Sequence, residues 1–280
     1  MGKALTIHHG RFGRAAIYNL TRVVETHAHR EGHLIFHMQI ADSTMVVRDT
    51  ACPIEPLTSV AINPWEVHSF RPGDSEGTLC LVLYVKPAWF LEMAEPDQSS
   101  LCFGSNPIEI TSQIQRLVQI VGSLMIDIEE SDRLDGYISE LTQHCYARSW
   151  QDVPDGVSLG SSLGAVPSLQ VRMAVRSLSA RVGDGFALDE MAREAGLARQ
   201  QISKAFREQT GMTPSVYLNT LRMERTIQDL TLTKKSLLEI GSSVGFTCRS
   251  AFDHFFSTYA GITPTNYRRV AHVAHHLSSW

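Results

Sequence analysis

The sequence predicts an α+β protein in which an N-terminal β-barrel precedes an all-α C-terminal domain of seven helices. Short apolar runs bounded by Gly, Pro, Asp and Asn fill residues 1–90, which is typical of strands. From Ile108 onward the apolar residues recur at steps of three and four, which is the helical period. Two similar helical units, about 50 residues apart, then occupy the last part of the chain.

The strand-like runs of the first part indicate its architecture. They lie at Leu34–Ile40, Met45–Val47, Val60–Ile62 and Leu79–Val85. Several short strands at this spacing are typical of a sandwich or a barrel. Lys86–Glu95 is predicted to form a brief helix or an irregular cover. We place this first domain at residues 1–107.

Residues 108–149 are predicted to form two further helices. The first helix carries an apolar stripe made of Ile108, Ile110, Ile114, Leu117, Val118, Val121, Leu124 and Met125. Such a stripe could simply cover the β domain. It could also pair with its own copy in a homodimer.

A change of composition separates this part from the last domain. Residues 150–167 are rich in Gly, Ser, Asp and Pro and lack any apolar period, so they are predicted to be a linker. Seven helical segments follow within residues 168–272, and residues 273–280 form a tail. At Thr213-Pro214 and Thr263-Pro264 a capping residue precedes a proline, which is typical of a helix start.

The last domain contains an internal repeat. Gly196, Ile202, Phe206 and the segment GMTPSVY (211–217) match a second set, namely Gly245, Phe252, Phe256 and GITPTNY (261–267). Each copy has a short helix, a glycine turn and a second helix, which is a helix-turn-helix in form. One such pattern would suit many helical bundles, but two copies joined by one long helix are much more specific for DNA binding.

Charge and cysteine content agree with a nucleic-acid partner in a reducing compartment. Residues 1–166 carry 11 Lys and Arg against 20 Asp and Glu, whereas residues 167–280 carry 14 against 9. The basic part is the natural candidate for phosphate contact. The five cysteines are scattered without a Cys-x-x-Cys pair, and the N-terminus lacks an apolar signal region. We therefore expect a cytoplasmic protein with free thiols.

Residues 188–230 and 236–269 resemble the AraC/XylS family of bacterial transcription regulators over about 100 residues of the C-terminal half. The resemblance implies a domain whose two recognition helices enter successive major-groove segments. It also implies a small-molecule effector bound in the barrel, transcriptional activation through RNA polymerase, and a location on the nucleoid. A regulator of this type needs two DNA-binding units on neighbouring sites, which favours the homodimer and makes residues 108–149 the expected dimerisation segment.

The resemblance places the DNA-contacting residues on two helices. The first recognition helix offers Arg199, Gln200, Gln201, Ser203 and Lys204, and the second offers Cys248, Arg249, Ser250, Asp253 and His254. Arg can read guanine and Gln adenine, each by paired hydrogen bonds. Phosphate contacts are expected from Arg222, Arg268 and Arg269. The usual Ser or Thr cap of the first helix is replaced by Ala198, while Thr247 is expected to cap the second.

The first domain also contains a pattern similar to the cupin metal motif, so its barrel is expected to be cupin-like. The motif has His-x-His, a Glu and a distant His, and here the matching residues are His27, His29, His33 in place of Glu, and His68. Alternation along one strand would point the first three to one face. Four imidazoles could bind Zn²⁺, Ni²⁺ or Cu²⁺. They could equally line an effector pocket with Trp65, or serve structure alone.

The competing hypothesis is an enzyme, in which a metal-dependent cupin is fused to a DNA-binding domain. Beside the histidines, Glu31 and Glu66 are the only nearby carboxylates, and no phosphate loop or nucleophile elbow occurs. We therefore expect no catalytic residue and no required cofactor, although the barrel could hold a divalent metal. Histidines near the termini, His8, His9, His272, His275 and His276, are expected to be solvated and are given no role.

Overall fold

The computed structural model describes most of the chain, with gaps at several loops and at both ends. The described residues are 2–39, 43–55, 57–73, 77–94, 98–127, 131–153, 167–184 and 188–273. Most of the predicted linker, residues 154–166, and most of the predicted tail, residues 274–280, therefore lie outside the described residues. The domain boundaries given above remain predictions.

The N-terminal part is built from two sheets. The strands are β1 Lys3–Gly10, β2 Gly13–Leu20, β3 Val24–His27, β4 Gly32–His37, β5 Ser43–Val47, β6 Thr50–Ile54, β7 Thr58–Ile62, β8 His68–Pro72, β9 Thr78–Val85, β10 Pro107–Glu109 and β11 Ala271–Val273. Seven form one sheet in the order β10-β7-β4-β9-β2-β1-β11, and four form the other in the order β3-β8-β5-β6.

The two sheets enclose a shared apolar interior. One hydrophobic cluster contains Ile35 and Val82 from the larger sheet together with Met45 and Phe70 from the smaller one. Between the described strands, no ladder joins one sheet to the other, so the predicted barrel is not closed by hydrogen bonds. The all-β character and the short strands agree with the sequence prediction.

Three helices cover the outer face of the larger sheet. They are α1 Pro87–Glu92, α2 Ser112–Ile126 and α3 Ser131–Trp150. Helix α2 starts where the Thr111 side chain accepts a hydrogen bond from the Ile114 N–H. Its apolar stripe packs into one cluster with the outward side chains of the larger sheet, including Leu34 and Leu81.

This packing corrects the expected role of the stripe. The side chains of Leu117, Val121 and Met125 are buried inside the chain, with exposed fractions of at most 4%. A side chain already packed on its own sheet has no surface left for a second copy. The stripe therefore covers the β domain, and the dimerisation role expected of residues 108–149 stays a prediction that needs surface outside the buried stripe.

The C-terminal part of the described chain contains the seven predicted helices. They are α4 Leu169–Ala180, α5 Leu188–Glu194, α6 Arg199–Thr210, α7 Pro214–Leu232, α8 Leu237–Ser243, α9 Arg249–Ala260 and α10 Pro264–Val270. Helices α5 and α6 form the first helix-turn-helix unit, and α8 and α9 form the second. The long helix α7 joins them.

The repeated Gly-x-Thr-Pro segments end one helix and start the next in the same way. Gly211 and Gly261 follow α6 and α9 with φ of 75° and 70°, a left-handed conformation that favours glycine. Two residues later, the hydroxyls of Thr213 and Thr263 accept hydrogen bonds from the first turns of α7 and α10. The internal repeat read from the sequence is thus also a repeat of capping geometry.

The two parts of the chain share one sheet. Strand β11 follows α10 directly and pairs in parallel with β1, with Ile7 opposite Ala271. Strand β11 was not predicted from the sequence, because three residues are too few to show an alternating pattern.

Within the described parts of the chain, no helix combines the length and the hydropathy that a membrane span requires.

If the α2 stripe serves the monomer core, Leu117→Ala should lower the free energy of unfolding by about 2–5 kcal/mol. The matched control is Ile126→Ala on the same helix, where the side chain is 69% exposed and the change should stay within about 0.5 kcal/mol. Denaturant unfolding and sedimentation of both variants provide the measurement. A Leu117→Ala variant that keeps its stability but dissociates a dimer would restore the dimerisation role.

Candidate effector cavity and nucleic-acid interface

A cavity lies inside the two-sheet domain, under the second helix-turn-helix unit. It contains about 490 Å³ of space between protein atoms, including space open to solvent. Apolar side chains of both sheets line it, and His27, His33 and His68 form its polar wall. Tyr259 and Ala260, the last residues of α9, complete the lining. An apolar lining with a few convergent polar groups is the character of a small-ligand site.

Four histidines converge at the polar wall. His27 ends β3 and lies opposite His68, the first residue of β8. The ring centroids of His27 and His68 are 4.3 Å apart, and the ring centroids of His27 and His29 are 4.8 Å apart. His33, on β4, has its ring centroid 4.4 Å from that of His29. The convergence that the sequence predicted is therefore present in the structure.

The reason predicted for this convergence was wrong. Strand β3 ends at His27 and β4 begins at Gly32, so His27, His29 and His33 do not lie on one strand. The turn between the strands carries His29 toward the other rings. Strand pairing across the smaller sheet then adds His68.

Backbone carbonyls fix the tautomers of two of these rings. The Nδ1 of His27 lies 2.6 Å from the carbonyl oxygen of Glu25, and the Nδ1 of His68 lies 2.8 Å from that of Glu66. A carbonyl can only accept, so each Nδ1 carries the proton and donates it. The Nε2 atom of each ring consequently keeps a free lone pair.

The histidine wall is neutral at physiological pH. Burial lowers the pKa of His27 to about 4. Burial likewise holds the pKa values of His29, His33 and His68 well below the ordinary range, and the mutual repulsion of protonated rings lowers them further. The wall therefore presents uncharged nitrogen atoms to whatever occupies the cavity.

Two other residues expected near the pocket are used elsewhere. Glu66 accepts hydrogen bonds from the Asn63 N–H and the Asn106 side chain, and it pairs with Arg48 at 3.1 Å. Of the residues predicted to form the effector pocket, His29 and Trp65 are not among those that line the cavity, and His29 lies behind the other rings. The position of Trp65 is set by another contact. Its ring stacks on Tyr217 of α7 at a centroid distance of 5.3 Å.

The end of α9 lies directly against the two-sheet domain. A Cβ atom at Gly261 would come within 2.8 Å of the Leu20 side chain, so the Gly261 backbone packs directly on that side chain. The Tyr259 ring lies 6.5 Å from that of His27, and its hydroxyl accepts a hydrogen bond from Asn219 of α7. The recognition helix of the second unit therefore forms part of the cavity wall.

A buried arginine holds the next helix, α10, against the same domain. Arg14 of β2 is 6% exposed, lies 3.5 Å above the Tyr84 ring, and donates to the Tyr267 hydroxyl at 3.1 Å. The Tyr267 hydroxyl lies 3.1 Å from the Nε2 of His9 and can donate to it. Burial, followed by the charge of Arg14, lowers the pKa of His9 to about 3 and keeps this acceptor neutral.

This contact corrects the expectation that the terminal histidines are solvated. His8 is 5% exposed, and its Nε2 lies 2.9 Å from the carbonyl oxygen of Met125. The His272 ring centroid lies 5.1 Å from that of His8 across the β1–β11 pair. His275 and His276 lie outside the described residues. The missing signal was β11, which brings His272 back onto the sheet.

The first helix-turn-helix unit also contacts the two-sheet domain. Tyr217 occupies the repeat position that matches Tyr267, and it stacks on Trp65. Trp65 has a φ of 64°, a strained value for a large side chain. Arg30 of the first domain pairs with Glu224 of α7 at 3.0 Å. The same tyrosine of each repeat thus contacts the N-terminal domain.

The predicted base-reading residues of the first unit lie on the outer face of α6. Arg199, Gln200, Gln201 and Lys204 are exposed, and Ser203 is half-buried. As the sequence analysis expected, the Ala198 side chain makes no capping hydrogen bond. Instead, the Gln201 side chain accepts from the Ala198 N–H at 3.0 Å, which provides part of the missing cap.

The second recognition helix is also without a side-chain cap, which corrects the role expected of Thr247. Helix α9 begins at Arg249 with Cys248 in the N-cap position, and the Cys248 thiol makes no capping hydrogen bond. The turn after Gly245 is one residue longer than the turn after Gly196, so Thr247 lies one position too early. The second helix is therefore not better capped than the first.

The outer face of α9 carries the predicted residues in an exposed arrangement. Cys248, Arg249, Ser250 and His254 are exposed, while Asp253 is half-buried. The Arg249 Nε lies 2.8 Å from an Asp253 carboxylate oxygen. Hydrogen bonding, first from Ser250, lowers the pKa of the Cys248 thiol. An exposed pair of this kind is worth about 0.2–1 kcal/mol, less than the roughly 1–3 kcal/mol of a good base contact, so Arg249 can leave it.

Two of the three arginines expected to contact phosphate are directed into the protein. Arg222 donates to the carbonyls of Val182 and Asp184 and is half-buried. Arg268 donates to the Leu230 carbonyl. Only Arg269 of the three is exposed in the structure. Sequence position alone could not separate these roles, because loop carbonyls and phosphates attract the same guanidinium group.

The contact between Arg14 and Tyr267 can be tested by a single substitution. Tyr267→Phe removes the hydroxyl and leaves the buried Arg14 and His9 with one partner fewer, so the free energy of unfolding should fall by about 1–3 kcal/mol. Tyr137→Phe is the matched control, because the Tyr137 hydroxyl accepts from Arg133 in an exposed setting. If both variants lower the free energy of unfolding equally in denaturant, the buried contact contributes no more than the exposed one.

Comparison with known proteins supports both halves of this arrangement. A family model described as "Helix-turn-helix domain" matches residues 191–270. The probable transcriptional regulator LumQ of Photobacterium leiognathi is 22% identical over 244 residues, which cover 87% of this chain and 92% of LumQ. The regulator ArgR of Pseudomonas aeruginosa is 31% identical over 114 residues, which cover 41% of this chain but only 33% of ArgR.

Solved structures of ToxT from Vibrio cholerae show the same fold. One of them matches 96% of this chain and 97% of its own length, with a TM-score of 0.53 and 10% identity. The structure of wild-type ToxT bound to an unsaturated fatty acid matches 91% of this chain and 94% of its own length, with a TM-score of 0.52 and 13% identity. The paired helix-turn-helix units and these named regulators make the chain similar to the AraC/XylS family of transcriptional regulators, and the ToxT structures show the same fold.

Proposed function

We propose that this chain is a sequence-specific DNA-binding regulator whose DNA affinity is controlled by a small ligand in the cavity. The observation that carries the proposal is the position of α9. This helix presents Arg249 and His254 on its outer face, and its last residues, Tyr259 and Ala260, line the cavity. A single rigid helix therefore connects the ligand site to a DNA-reading surface.

The proposed control rests on a difference in ligand affinity between two positions of the second unit. With the unit docked, Tyr259 and Ala260 form part of the cavity wall. A ligand that contacts these residues favours docking, whereas one too large for the cavity beside them favours release. Either ligand shifts the orientation of α9 relative to α6, provided that it binds the two positions with different affinities.

DNA binding is proposed to use the exposed faces of α6 and α9. Arg199, Gln200 and Arg249 carry the hydrogen-bond donors that suit base edges in the major groove. Arg269 is the exposed phosphate contact. The ligand of residues 1–107 would then act on the DNA-binding domain at residues 168–272.

Further partners follow from the family and are proposed with it. Activation would require RNA polymerase, and binding to neighbouring sites would require a homodimer through a surface other than the buried α2 stripe. The cell location expected of such a regulator is the cytoplasm, on the nucleoid. The relatives named above are transcriptional regulators, so we do not propose an enzyme.

The proposal is tested by DNA binding of the full chain. Genome-wide mapping of bound sites in the native cell supplies a cognate fragment, and a scrambled fragment of the same length is the non-specific probe. Arg249→Ala should weaken cognate binding by about 1–3 kcal/mol and leave scrambled binding nearly unchanged. Arg269→Ala should weaken binding to both fragments alike. It should also reduce the slope of log affinity against log salt concentration by about 1.

The control is Arg11→Ala, which removes an arginine on the first domain that is 66% exposed and paired with Glu92. It should leave the affinity for both fragments unchanged. Equal losses on both fragments for Arg249→Ala would contradict the base-reading role. Failure of the wild-type chain to enrich any genomic fragment would contradict the proposed function itself.

A further inference from the structure

We propose that His27, His29 and His68 bind one divalent transition-metal ion, and that this ion controls how the DNA-binding half is held on the sheet domain. The second part of this inference rests on the proposed function. The metal site itself does not, because it follows from the histidine cluster alone.

The geometry of the three rings suits a single ion. One ligand atom from each ring lies within 4.8 Å of the other two. Two nitrogens bound to the same ion at about 2.1 Å lie at most about 4.2 Å apart. The nitrogens therefore have to move together by a few tenths of an ångström at the widest separation to share one ion.

The cluster also lacks the hydrogen bonds that buried polar atoms normally make. The Nε2 atoms of His29, His33 and His68 are buried without a protein partner. A buried polar atom without a partner destabilises the fold, so these unpaired atoms need an explanation. An ion bound by His29 and His68 takes two of the three lone pairs, and His33 lies beside the site without being one of its proposed ligands.

The surroundings hold two of the rings in a metal-binding orientation. The carbonyls of Glu25 and Glu66 accept the Nδ1 protons of His27 and His68. In metal sites, such second partners fix the tautomer and aim the other nitrogen at the ion.

The donor set defines the class of metal. Three neutral imidazoles suit Zn²⁺, Ni²⁺, Co²⁺ or Cu²⁺, whereas Mg²⁺ and Ca²⁺ prefer oxygen ligands. The nearby carboxylate of Glu66 is held by Asn63, Asn106 and Arg48. A three-histidine site leaves a coordination position for a further ligand in the cavity.

The site is connected to the DNA-binding half through the residue between two of its ligands. Ala28 packs in the core cluster of the first helix-turn-helix unit, and its carbonyl accepts a hydrogen bond from Thr220 of α7 at 3.1 Å. The His27 ring also faces Tyr259 of α9. An ion that fixes His27 and His29 therefore fixes the segment on which α7 rests.

The test begins with metal binding to the full chain after treatment with a chelator. Titration with Zn²⁺, and with Co²⁺ read by its visible absorption, should give one tight site per chain. His29→Ala and His68→Ala should each weaken that site at least about 100-fold, more than the loss expected for a second partner. His275→Ala/His276→Ala is the control for adventitious binding by the histidine-rich tail and should leave the tight site intact.

Equal Zn²⁺ affinity in the wild type and in His29→Ala would overturn the metal site. If the alanine variants do not fold, His29→Gln and His68→Gln provide the same comparison with a neutral side chain of similar size. Thr220→Val adds an independent reading, because it should preserve tight Zn²⁺ binding while reducing the change in DNA affinity that Zn²⁺ produces.

The regulatory part is read on the cognate DNA fragment with and without Zn²⁺. The affinity of the wild type should change with Zn²⁺, and that of His29→Ala should not. Tight metal binding with no change in DNA affinity would overturn the regulatory part only. A chain that binds no DNA under either condition would instead refute the proposed function, while the metal titration would still decide the site.

Discussion

The arrangement of the molecule depends on a buried contact between strand β2 of the first domain and helix α10 of the last. Arg14 of β2 is buried against Tyr84 and donates to Tyr267 of α10, and β11 then extends the same sheet. A buried guanidinium group is stable only where its donors are used and its charge is balanced by aromatic or anionic partners. Because Tyr267 comes from the DNA-binding half, the sheet domain and the second helix-turn-helix unit stabilise each other.

This mutual dependence explains how a ligand in the cavity is proposed to control DNA binding. The cavity is formed by the sheets but is completed by Tyr259 and Ala260 of α9. Its occupant therefore contacts a helix whose other face is exposed for DNA. The repeat makes the arrangement two-sided, since Tyr217 of the first unit contacts Trp65 as Tyr267 of the second contacts Arg14. Both helix-turn-helix units are thus held by the domain that contains the cavity.

The sequence was sufficient for features that depend on local pattern. It predicted the seven C-terminal helices, because helical period and capping residues are local. It also predicted the meeting of four histidines, but from strand alternation, whereas a turn and strand pairing bring the rings together. It could not predict β11, the inward direction of Arg222, or the burial of the α2 stripe, since each depends on which distant surface is available. It also misplaced the cap of α9, because one extra residue in a turn changes the geometry without changing the pattern.

The most direct test of this account is native-state hydrogen exchange of the full chain, comparing amides of α9 and α10 with those of β1 and β2. If the second unit is built into the sheet domain, the most protected amides of both regions should open with free energies that agree within about 1 kcal/mol, as one cooperative unit. Exchange of α9 and α10 at a much lower free energy, with β1 and β2 still protected, would show that the second unit opens independently and would contradict the account.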